Sequence, residues 1–109
     1  MEAQALIKAG ACGFETRVNV LSESKFKTCR VEITSTCKNI RALGEQLKEL
    51  EAMNEIKYGF EGEILLKAKK LLKGCCAGCV VPSGIFKTLQ VASGLALPQE
   101  ISIKIEKKD

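Results

Sequence analysis

The hydrophobic period of this chain changes twice, and that change limits its fold more than any other feature. Between residues 14 and 34 apolar positions recur every second residue. Phe14, Thr16, Val18 and Val20 fall on one face, with Glu15, Arg17 and Asn19 on the other. Cys29, Val31 and Ile33 alternate in the same way with Thr28, Arg30, Glu32 and Thr34. Period two is the pattern of half-buried strands. The opening AQALIKAG reads as a further strand, set off by the turn-like Ala11-Cys12-Gly13. With SESK at 22–25 as a second turn, the first third predicts a three-stranded antiparallel meander.

The middle of the chain moves to period 3.6. Ile40, Leu43, Leu47 and Leu50 form one apolar stripe, with Ser35 or Thr36 placed to cap it and Cys37 in its first turn. NEIKYGFEG reads as a linker. A second stripe holds Ile64, Leu65, Ala68, Leu71 and Leu72 and stops at Gly74. A third helix is predicted to start near Pro82 or Ser83, with Ile85, Phe86, Leu89 and Ala92 inward and Gly94 as its stop. Period two then returns, with Ile101, Ile103 and Ile105 on one face. The order β-β-β-α-α-α-β predicts a single two-layer α+β domain over residues 1–109. Its four-stranded, mostly antiparallel sheet is covered by three helices, and the last strand returns to the sheet.

A domain of 109 residues buries about 65% of its unfolded surface, enough for a core without help from metal. No apolar run comes near the ~18 residues of a spanning helix, and the N-terminus lacks a signal-peptide pattern, so the expectation is a cytoplasmic protein without a membrane partner. The net charge of +4 comes from seventeen basic against thirteen acidic residues. The densest basic stretch, Lys67, Lys69, Lys70 and Lys73, lacks the arginines and interleaved aromatics of a nucleic-acid surface and reads as a solvated helix face. Nucleic acid is therefore not the expected partner, and a homodimer is open. Histidine is absent, which removes imidazole as a general base together with Cys-His and Ser-His catalysis. No catalytic residue is assigned.

In a reducing compartment six cysteines point to metal or reactive thiols rather than disulfides. Cys29 lies in phase with Val31 and Ile33 and reads as core. The others sit at element ends. Cys12 lies in a strand turn, and Cys37 at a helix start, where the helix dipole stabilises a thiolate. Cys76 and Cys79 form a C-x-x-C before another helix start, within GCCAGC, and Cys75 competes with Cys76. One end of the proposed domain can gather Cys12, Cys37, Cys76 and Cys79. Such a four-thiolate set suits zinc or an iron–sulfur cluster. Only one short knuckle is present, so the pattern is not that of a zinc ribbon. Two other readings compete: a thiol-redox protein using Cys76 and Cys79, and a small scaffold or interaction domain with structural, reduced cysteines. A thioredoxin-like C-x-x-C belongs just after a strand, and here a helix precedes it.

The motifs A-C-G-F-x-T-x-V at 11–18, I-x-S-x-C at 33–37, C-V-V-P-S-G-I-F-K at 79–87 and G-L-A-L-P at 94–98 resemble those of a family of small uncharacterised proteins from anaerobic bacteria and methanogenic archaea. The resemblance spans most of the chain and implies no activity. It implies Cys12, Cys37 and Cys79 as motif cysteines, with Cys76 or Cys75 as the fourth, and an anaerobic setting in which an oxygen-sensitive cluster is tenable.

Overall fold

The computed structural model describes residues 1–24 and 26–109. Strands β1 (Glu2–Lys8), β2 (Glu15–Leu21) and β3 (Thr28–Ser35) form the expected antiparallel meander. The turn expected at 22–25 is built by Ser22 and Ser24: Ser22 Oγ donates to the Ser24 carbonyl, and Ser24 Oγ accepts from the Phe26 N–H. Its last residue, Lys25, lies outside the described residues.

The class is α+β, with a four-stranded antiparallel sheet covered by helices, but the fourth strand comes from an unexpected place. The stripe Ile40, Leu43, Leu47, Leu50 does not stay helical. Helix α1 (Lys38–Glu45) ends after Gly44, and the Gln46 and Leu47 N–H groups bond back to Leu43 and Gly44 in a tight final turn. The chain then extends as β4 (Glu49–Glu51), pairing Leu50 with Cys29, so the sheet order is β1-β2-β3-β4. All four stripe residues are buried, Ile40 and Leu43 from the helix as expected and Leu47 and Leu50 from the turn and strand that follow it. Gly44 belongs at this bend because a Cβ there would stand 3.1 Å from Ile33 Cβ.

The segment expected to be a linker, 54–62, holds most of helix α2 (Ala52–Tyr58) and a 3-10 turn, Gly59–Glu61. Helices α3 (Glu63–Leu71) and α4 (Val81–Ala92) follow, joined by a 3-10 stretch, Gly74–Gly78. Among the described residues there are thus four α-helices rather than three. Helix α4 lies on the sheet through Val81, Ile85, Leu89 and Ala92. Its end is set by Gly94 at φ 75°, which lets the Gly94 and Leu95 N–H groups close on Val91 and Gln90. The stretch Gly74–Ala92 has a mean hydropathy of 1.3, which by length and composition would suffice to cross a membrane and corrects the expectation that no run comes near it. Seven of its residues, all of them in α4, are buried in the core.

The expected C-terminal strand is not paired. Residues 97–109 have no assigned secondary structure, and Ile101, Ile103 and Ile105 are exposed. Cys29, expected in the core, is fully buried with its Sγ 3.5 Å from Ser93 Oγ.

Candidate functional site

Three junctions meet at one end of the sheet. The β1–β2 hairpin closes there, with Lys8 opposite Glu15. Its tip is a turn in which the Gly13 N–H donates to the Gly10 carbonyl at 2.9 Å. Both glycines have positive φ, 90° and 76°, which a side chain would strain, and Cys12 stands between them, exposed. Strand β3 leaves the sheet at the same end, because Ser35 pairs with Thr16. The next residue is tied down twice: the Thr36 N–H donates to the Glu15 carbonyl, and Thr36 Oγ1 accepts from the Glu15 N–H.

Neither Ser35 nor Thr36 caps α1, contrary to expectation, since both hydroxyls are engaged with β2. The cap position falls to Cys37, whose N–H donates to Ser35 Oγ at 3.1 Å and whose carbonyl accepts from Arg41. The third junction is the start of α4. Gly84 lies against the far end of β1, so closely that a Cβ would stand 2.4 Å from Ile7 Cδ1. That contact brings Cys76 and Cys79, which immediately precede the helix, to the hairpin end of the sheet.

Cys37, Cys76 and Cys79 are half-buried against the core, while Cys12 and Cys75 are exposed. Burial pushes the Cys79 thiol above its ordinary pKa. A hydrogen bond from the Val81 N–H, at the start of α4, pulls the other way, and negative charge on Cys12, Cys37 and Cys76 pushes it up further. Cys12, Cys37 and Cys76, drawn from three separate junctions with Cys79, are thus each within electrostatic reach of the Cys79 sulfur. Asn39, in the first turn of α1, directs Nδ2 towards Cys76 Sγ at 4.0 Å and links two of them. Neither α1 nor α4 carries an acidic residue in its first turn, so both positive helix ends stay uncancelled beside the thiols. Among the described residues, no group of three or more cysteine, aspartate or glutamate side chains has the spacing of a metal-ion ligand set.

These positions give a reactivity order. In reduced, metal-free protein near neutral pH, exposed Cys12 and Cys75 are expected to alkylate first and Cys79 slowly. The Cys79 rate should rise about tenfold per pH unit as its thiolate fraction grows. Cys29 should react only on unfolding. Peptide mapping by mass spectrometry after timed iodoacetamide pulses checks this order. A Cys79 that reacts fastest at neutral pH would instead mark an activated redox thiol.

No curated protein and no solved structure matches this chain. Residues 3–105, from the first strand through the cysteine junctions to the isoleucine-rich tail, match one family throughout, and the chain belongs to the Family of unknown function (DUF6951).

Proposed function

We propose that Cys12, Cys37, Cys76 and Cys79 bind a thiolate-ligated metal centre, zinc or an iron–sulfur cluster. The observation that supports this reading is that Cys12, Cys37 and Cys76, delivered with Cys79 by three junctions far apart in sequence, each bear electrostatically on the Cys79 thiol. Residues around them are small: Gly10, Ala11, Gly13, Ala77 and Gly78 put little side-chain bulk beside the sulfurs. The two helix N-termini favour the negative charge that four thiolates bring.

The fold has its own core, so the centre has no evident task in holding the chain together. The thiol-redox reading is weaker, because an efficient attacking thiol has a pKa near ambient pH and Cys79 is shifted upward.

Purification without oxygen, followed by zinc, iron and acid-labile sulfide analysis and a visible spectrum, tests the proposal. Stoichiometric metal is expected: brown protein with matching iron and sulfide would identify a cluster, and colourless protein with one zinc per chain would identify a zinc site. Protein that stays empty after refolding with zinc, or with iron and sulfide, would overturn the site and favour the scaffold reading.

A further inference from the structure

We infer that the C-terminal segment, residues 99–106, is a strand that pairs with β1 of a second copy of this chain. Strand β1 is the outer strand of the sheet, so one of its edges has no strand partner among the described residues. Beside that edge runs a groove of about 700 Å³ between β1, α4 and the chain's own tail. On the strand side it meets the small side chains Ala3 and Ala5 and the half-buried Ile7; on the tail side it meets Ile101, Ile103 and Ile105. Those three isoleucines are 56%, 67% and 89% exposed, on a segment whose alternation with Ser102, Lys104 and Glu106 is that of a strand. An unpaired edge next to an extended apolar segment is a template for strand addition.

Direction selects the partner. Helix α4 sets Gly84, in its first turn, against Ile7, and Gly94, just past its end, against Met1, so it runs antiparallel to β1. The tail therefore starts at the Met1 end and passes along β1 in the same direction as β1. Its own tail would add to β1 as a parallel strand on an otherwise antiparallel sheet. A second copy related by a twofold axis perpendicular to β1 brings its tail in reversed, antiparallel to β1. Each copy's groove then takes one strand of the other, and both edges close at once.

The full chain, kept reduced so that no disulfide links copies, should sediment at twice its 11.9 kDa mass. Replacing Ile101, Ile103 and Ile105 together with lysine should halve that mass. The circular dichroism spectrum should be kept, because none of the three belongs to the buried core. Hydrogen exchange supplies the second readout: β1 amides facing the groove should be protected in the wild type and exchange freely in the triple variant. A wild-type monomer with protected β1 amides would mean that the tail closes on its own strand, and a monomer with unprotected amides would mean that nothing pairs there. Either result overturns the inference, as does a dimer that survives the triple substitution.

Discussion

Serine in place of Cys37 is expected to remove the stoichiometric metal of the anaerobically purified protein, and so is serine at Cys12, Cys76 or Cys79. Cys75→Ser and Cys29→Ser should retain it. A hydroxyl keeps its proton at any pH the protein survives, so each substitution removes one anionic soft donor from a set of four. The remaining three come from two or three junctions that hold their own backbone geometry without metal, so the fold should persist while the centre is lost. Cys37 separates the ligand and structural roles best. Its cap function is carried by its backbone, through the N–H bond to Ser35 Oγ and the carbonyl bond from Arg41, and serine keeps both. Cys76 and Cys75 are adjacent, but only Cys76 is half-buried beside Asn39 and within the charge field of Cys79. Cys29→Ser puts a hydroxyl among apolar neighbours and should cost about 1–2 kcal/mol, part of it offset by Ser93, with metal unchanged. Elemental analysis alongside thermal melts reads the whole series. Full metal in Cys12→Ser or Cys37→Ser would break the proposed ligand set. Loss in Cys75→Ser with retention in Cys76→Ser would move the fourth ligand by one residue.

The cysteine junctions were legible in sequence because a residue at an element end needs only the element boundaries to be placed. Strand alternation fixed the hairpin tip at Cys12 and the exit of β3 before Cys37, and Pro82 fixed the start of α4 after Cys79. What the pattern hid has two physical causes. Burial at i, i+3, i+7 and i+10 served Leu47 and Leu50 equally well as the continuation of a helix or as a turn and a three-residue strand. Only the close approach of Gly44 to Ile33 decides between them. Helix α2 was hidden because one of its two buried positions is an acid: Glu55 occupies the place where a stripe would show an apolar side chain. The tail shows the opposite case. Its alternation was real, but the strand it would join lies outside the single chain if it pairs between copies.

That buried acid carries the largest stability effect expected from a single side chain here. Glu55 is 2% exposed and accepts two backbone hydrogen bonds, from the Ile64 N–H to Oε1 at 2.8 Å and from the Glu63 N–H to Oε2 at 3.1 Å. Helix α3 has no side-chain cap of its own, since Gly62 stands at its cap position, so the Glu55 carboxylate does that work from eight and nine residues upstream. It also places negative charge at the positive end of the helix. Gly62 makes room for it: a Cβ there would stand 3.1 Å from Glu55 Oε1. Glu55→Ala leaves two N–H groups without their partner, one of them buried, and opens a cavity beside Gly62. Hydrogen bonds to a charged group contribute roughly 1.5–3 kcal/mol each, and these two are not independent, so a loss of about 3 kcal/mol is expected. For a chain of this size that lowers the melting temperature by roughly 12–24 °C. Glu55→Gln keeps the volume and one accepting oxygen but turns an amide N–H₂ towards the second donor, and should lose about half as much. Denaturant melts of the metal-free protein measure both without interference from the cysteine site. A Glu55→Ala loss below about 1 kcal/mol would show that water replaces the carboxylate at the start of α3, and that the cap is a convenience of packing rather than what holds α2 and α3 together.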